Sequence, residues 1–183
     1  MKEKAYIVNT VSKEMPDFTK TLLRAVQEQE AYGTVLERIT HHEYPCEIEG
    51  PEGLHLAAVL SRLHDISQKP SLIVTPTETE AEALVKDLEL IRGEVCLFPW
   101  LGTAPYSPEP PHTSVSGKRI RVLSGLLDDS ADLVVTSLRG FLSPVPHKNY
   151  LEELRIHIEV GGTFDPIDLE KKLALMGYLR VPQ

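Results

Sequence analysis

Gly50-Pro51-Glu52-Gly53-Leu54-His55-Leu56-Ala57-Ala58 stands where this chain would place a phosphate-binding loop, between an extended run and an apolar helix stripe. Such a loop needs a G-x-x-x-x-G-K-[ST] pattern. Its backbone N–H groups and the helix N-terminus cradle the anion, the lysine neutralises it, and the hydroxyl holds magnesium. The stretch from Gly50 to Ala58 has no Lys, Ser or Thr. Pro51 has no N–H to donate, and Glu52 would set a negative charge where the phosphate should lie. The setting suits nucleotide and the chemistry does not, so no catalytic residue, no cofactor and no metal are expected here.

Other reactive residue types are weaker signals. His41, His42, Glu43 and Cys46 carry zinc-compatible ligands, but adjacent histidines in an extended segment point apart and no second Cys/His pair lies at finger spacing. A solvated linker is expected there. Cys46 and Cys96 are the only cysteines and are expected to be structural thiols among β-forming residues. Lys118, Arg119 and Arg121 form the densest basic cluster and are interleaved with Ile120, Val122 and Leu123, which reads as a solvated helix face. Asp128, Asp129 and Asp132 fit cap and loop chemistry. No nucleophile elbow, His-Glu-x-x-His or dinucleotide fingerprint is present.

The elements that must position these residues follow from periodicity. Phe18, Leu22, Leu23 and Val26 mark a helix within residues 17 to 30, read as an amino-terminal appendage (1–44). Cys46–Glu49 is expected to be a strand leading through the glycine turn into a helix faced by Ala57, Val59, Leu60 and Leu63. Ser71–Thr75 reads as a strand buried on both faces, as in parallel sheets. Thr77 with Glu80 forms a capping box for a helix carrying Ala81, Leu84, Val85, Leu88 and Ile91 and ending at Gly93. Glu94–Phe98 and Asp132–Thr136 are further strands, with a stripe of Ile120, Leu123, Leu126 and Leu127 between them and a short helix near 138–142 after them. Strands alternating with helices call for an α/β fold, a three-layer parallel sheet of P-loop or RecA-like type, over residues 45–147.

Past Pro144 and Pro146, residues 148–183 read as the beginning of a small α/β domain. Glu153–Val160 alternates with period two, as in a half-buried strand. Asp165 and Pro166 open a helix that Gly177 should cap. One strand and one helix are too little to bury a core, so the unit reads as incomplete. The Pro-rich segment Pro99–Pro111 reads as a rigid crossover on the sheet edge or a docking surface for another domain.

The make-up of the chain narrows the function classes. It has 42% hydrophobic and 25% charged residues, as a globular protein does, and a formal net charge of −8. That charge repels polyanions, which disfavours free-standing nucleic-acid binding. No apolar run approaches the roughly 18 residues of a membrane span, and the amino-terminus lacks signal-peptide character, so the cytoplasm is the expected location.

The order of motifs resembles a known family. After the run at Ile48 and the glycine turn come IVTPTETEAEALVKDLE, FPWLGTAPYSPEPP, KRIRVL and ADLVVTSLRGFLSPVP. In this order they look like the amino-terminal module of bacterial transcription-repair coupling factors, itself similar to the first domains of excinuclease B. The likeness runs from about Ile48 to Gln183, and residues 1–44 match nothing. It implies a non-catalytic fragment that helps recruit excinuclease A and hold a DNA translocase in check at stalled RNA polymerase. RNA polymerase and DNA would be met only through other domains of a longer protein. Two departures from excinuclease B agree with this: the glycine turn at Gly50, Pro51, Glu52 and Gly53 is degenerate, and only residues 99–116, with Trp100 and Tyr106, stand in place of its DNA-wedging hairpin. The family's contacts with excinuclease A lie downstream of its Gly-Tyr pair, here Gly177-Tyr178. None is carried over, and Arg180 is not at a matching position. The alternative is a nucleotide-binding half-site of a helicase- or ATPase-like enzyme completed by another domain.

Overall fold

Three short apolar runs, two of them rich in β-branched residues, become strands, and the helices between them cover the sheet unequally. The computed structural model describes residues 17–41, 43–103, 112–156, 160–163, 165–176 and 178. In chain order these form α1 (Asp17–Gln27), α2 (Glu30–Thr40), α3 (Gly53–Ser67), β1 (Ser71–Thr75), α4 (Glu78–Arg92), β2 (Cys96–Phe98), α5 (Thr113–Leu127), β3 (Leu133–Ser137), α6 (Leu138–Leu142), α7 (Lys148–Leu154) and α8 (Pro166–Leu175). The chain divides into two compact units between Ser143 and Pro144.

In the first unit the strands form a parallel sheet of order β1-β3-β2. Ser71 to Thr75 pair in register with Leu133 to Ser137, and Cys96 to Phe98 pair with Val134 to Thr136. Alternation along β3 sends Leu133 and Val135 into a core with α3 and α4, and Val134 into a smaller one with Phe98, Val122 and Ala131. The larger core holds Ala57, Ala58, Ala81 and Leu88, all fully buried. Small residues on α3 and α4 let these two helices pack closely.

All five residues of β3 are buried, whereas β1 leaves Leu72 and Val74 exposed at 53% and 42%. The strand buried on both faces is therefore the central β3, not Ser71–Thr75. β1 is an outer strand, and α5 packs against β2. The N-cap half of the capping box is present, Thr77 Oγ1 accepting from Glu80 N–H at 3.2 Å, and the Glu80 carboxylate reaches back to the Thr77 hydroxyl, accepting from it at 3.1 Å, in place of the backbone N–H. Gly93 ends α4 with φ of 89°, a conformation that favours glycine.

Several expectations are corrected. Cys46–Glu49 forms no strand. Its one aliphatic residue, Ile48, lies between two glutamates and is 41% exposed, so it offers no apolar face to a sheet. The amino-terminal segment is not a mere appendage, because Val26 and Tyr32 are buried in the larger core with α3. The stripe on α5 is also rotated. Ile120 and Leu126 are exposed, and Arg119 and Val122 are the buried residues.

The second unit contains α7 and α8, neither of which buries a side chain. Glu153 and Leu154 end α7 and so cannot begin the expected strand, whose residues 157–159 lie outside those described. Asp165 caps α8 as expected, its carboxylate accepting from Ile167 N–H at 2.8 Å. The C-cap is Met176; Gly177 and Arg180 lie outside the described residues.

Candidate functional site

The glycine turn takes its shape from two backbone positions. Gly50 and Gly53 have φ of 101° and 52°, and at neither would an added Cβ meet a neighbour. Backbone conformation, not crowding, is what calls for glycine there. The turn delivers the chain into α3, whose N-cap, Glu52, makes no side-chain capping bond. Glutamate is a poor cap, and its carboxylate stands at the helix start where an incoming anion would have to sit. Extended residues without sheet pairing precede the turn, so the strand that normally anchors a phosphate loop is missing among the described residues.

Beside this turn lies a half-open pocket of about 300 Å³. Tyr32, Val35, Ile48, Pro51 and Val59 give it apolar walls, and His55 adds a ring nitrogen. Tyr32 is 6% exposed. Its hydroxyl faces the Arg62 guanidinium, whereas His55 Nε2 has no hydrogen-bond partner among the described residues. Burial pushes the Tyr32 hydroxyl above its ordinary value, while the charge of Arg62 and a hydrogen bond with it pull it down, so it stays protonated at neutral pH.

The carboxyl ends of the parallel strands, where open α/β sheets usually bind ligands, are closed here by internal bonds. The Glu78 carboxylate accepts from the Ser137 hydroxyl and, at 3.3 Å, from Trp100 N–H. Ser137 Oγ in turn accepts from Gly140 N–H at 2.9 Å, which caps α6. Thr136 Oγ1 donates to Phe98 O at 2.7 Å. Arg119 donates to Pro99 O at 2.8 Å and stacks 3.9 Å above the Phe98 ring. Burial lowers the Arg119 guanidinium from its usual value and the Glu78 charge raises it. The solvated face expected of Lys118, Arg119 and Arg121 holds for the outer two, which are exposed, and fails for Arg119. Sequence reading missed Glu78, Arg119 and Ser137. The only available signal was Arg119 at helical spacing from Val115 and Val122.

At the opposite end of the sheet His64, 8% exposed, ties α3 to two strand starts. Its Nδ1 lies 2.8 Å from Ser71 Oγ and its Nε2 3.2 Å from Asp132 Oδ2. Asp128 is the C-cap of α5 and Asp129 has φ of 55°, in keeping with the turn chemistry expected of them. His41 hydrogen-bonds Glu37 O at 2.8 Å, while His42 and Tyr106 lie outside the described residues, as does 104–111 of the Pro-rich segment. Cys46 and Cys96 are free and half-buried. Burial raises the Cys96 thiol, with Glu94 and Asp132 adding to the effect.

These features define a mixed α/β protein with a small parallel sheet, helices on both faces, and a glycine turn without phosphate-binding side chains. The chain is also similar to three curated proteins, each a transcription-repair-coupling factor. That of Borreliella burgdorferi is 23% identical over 132 residues, 72% of this chain and 12% of the relative. That of Haemophilus influenzae is 26% identical over 128 residues, 69% of this chain and 11% of the relative. That of Myxococcus xanthus is 27% identical over 143 residues, 73% and 12%. The chain is thus similar to transcription-repair-coupling factors over about 70% of its own length and spans about an eighth of theirs. No family model matches the chain, and no solved structure does.

Proposed function

We propose that this chain is a non-catalytic, excinuclease-B-like module of a transcription-repair-coupling protein, contributing to recruitment of excinuclease A and to restraint of a DNA translocase at stalled RNA polymerase. The observation that carries the non-catalytic reading is the turn at Gly50–Gly53. It opens a helix as a phosphate loop does, yet from Gly50 to Ala58 there is no lysine, no hydroxyl for magnesium and, at Pro51, no N–H donor. Glu52 at the helix start adds repulsion toward a triphosphate. The names of the three relatives support the repair setting. An acidic chain with net charge −8 is better suited to a protein partner than to DNA itself.

Phosphate release from ATP by the chain, alone and mixed with duplex DNA, should stay at the level of buffer. Turnover above that level would place a working site in this chain. The partner half of the proposal is tested by titrating excinuclease A over the immobilised chain, where weak or no binding is expected, because none of the family's contact residues is carried onto this sequence. Tight binding would place the contact within the present residues and overturn that expectation.

A further inference from the structure

β1 leaves both a face and an edge without cover. Leu72 and Val74 lie level with Val134 and Thr136 of β3 on the α5 side of the sheet, yet α5 packs against β2, and the two side chains stay exposed. Ser71 N–H bonds Asp132 O at 2.7 Å. Backbone direction alternates along a strand, so Ile73 and Thr75 also turn their peptide groups toward β3, while Leu72 and Val74 turn theirs away from it. Neither outward residue has a backbone partner among the described residues. Edge strands are normally blunted by a charge, a bulge or a proline. Here the run from Pro70 to Thr77 carries no charged residue, and its prolines stand only at the two ends of the strand. We propose that this edge is a homodimer interface, in which β1 pairs antiparallel with β1 of a second copy about a two-fold axis at Ile73.

Register and charge select a second copy as the occupant. With the axis at Ile73, Leu72 lies opposite Val74 of the other copy and the two exchange both N–H···O bonds; the two-fold repeats the pair, so every outward peptide group of Leu72 and Val74 is satisfied. A slip by two residues sets Leu72 or Val74 opposite itself and leaves the other unbonded. The same register brings Lys69 level with Thr77 of the other copy, at the acidic first turn of α4. Glu78 is committed there to Ser137 and Trp100, which leaves the exposed Glu80 as the carboxylate that meets Lys69. Each copy thus carries, at opposite ends of one strand, the two charges the joint requires. The contact is short, so the dimer belongs to the weak class and should form at roughly tens of micromolar. At physiological salt the repulsion between two chains of net charge −8 is screened beyond about 8 Å. The interface goes beyond the proposed module function and does not depend on it.

The test is sedimentation velocity of the whole chain at physiological salt, from about 2 to about 300 µM, with hydrogen exchange measured at both ends of the range. The sedimenting mass should rise from that of one chain toward that of two. The amides of Leu72 and Val74 should become protected in step, whereas that of Ile73, bonded to β3 throughout, should not change. Leu72→Lys, at an exposed position, should weaken association about tenfold or more without lowering the urea midpoint. Lys69→Glu and Glu80→Lys should each weaken it about threefold, and the two together should bring it back to within about twofold of the parent. A chain that stays single over the whole range, or a dimer indifferent to Leu72→Lys, would overturn the proposal. So would slow exchange of the Leu72 and Val74 amides at the lowest concentration, which would mean that another part of the same chain holds the edge.

Discussion

Replacing Arg119 by methionine keeps most of the side-chain volume and removes the guanidinium. In the folded chain that group donates to Pro99 O at 2.8 Å and lies 3.9 Å above the Phe98 ring, with only 4% of the residue exposed. A hydrogen bond from a charged donor contributes about 1.5–3 kcal/mol, and a desolvated cation over an aromatic ring about 1–2 kcal/mol. Against this, methionine no longer carries the cost of burying a charge, which is what lowers the guanidinium from its usual value. Offsetting these leaves a net loss of about 2–3 kcal/mol, most of it from the carbonyl left without its donor. Urea denaturation followed by circular dichroism should show a lower midpoint at an unchanged slope, so that the difference is one of stability. Arg119→Lys should recover only part of the loss, because an ammonium cannot stack as a planar guanidinium does. A loss under about 0.5 kcal/mol, as at ordinary surface positions, would refute the reasoning and restore Arg119 to a solvated face.

Gly140→Ala should cost about 1–3 kcal/mol, since an added Cβ would clash with Thr136 Oγ1 and lie 3.1 Å from the Phe98 carbonyl; a thermal melt equal to the parent's would show that α6 can shift freely. His64→Ala should destabilise by about 2 kcal/mol or more, because it frees two polar partners and opens a gap beneath α3, whereas Asp132→Asn, at a 68% exposed carboxylate, should cost under about 1 kcal/mol. Comparable losses from the two in urea titrations would contradict that ranking. Cys96 should react with a thiol-specific disulfide reagent more slowly than a free thiol at mildly alkaline pH, because burial and the charges of Glu94 and Asp132 raise its thiol and thin out the reactive thiolate. Adding urea should bring the rate up to that of an exposed cysteine, and a folded-state rate already equal to it would show that the thiol is not shielded.

How far the sequence could be read depended on whether a residue's place follows from its neighbours along the chain. Ser71–Thr75, the Thr77/Glu80 cap, the end of α4 at Gly93 and the Asp165 cap are local, and each appears where spacing and residue type put it. Cys46–Glu49 had extended residues but only one aliphatic, and a strand needs a partner as well as a propensity. The burial of β3 and the open face of Leu72 and Val74 depend on strand order, which periodicity does not contain. Arg119 was hidden for the same reason. Nothing along α5 tells that the ring and carbonyl waiting for its guanidinium come from Phe98 and Pro99, about twenty residues earlier. At the glycine turn, residue types were enough to show which phosphate-binding groups were missing, but the pocket beside it needed Tyr32 from α2, whose role no motif marks.

The central claim, that the turn from Gly50 to Gly53 holds no nucleotide, is tested most directly by calorimetric titration of the chain with ATP and magnesium. A flat isotherm after subtraction of dilution heat is the predicted result, because no lysine, hydroxyl or full set of N–H donors faces the triphosphate. A saturable, magnesium-dependent heat with micromolar affinity, lost on exchanging ATP for adenosine, would contradict it.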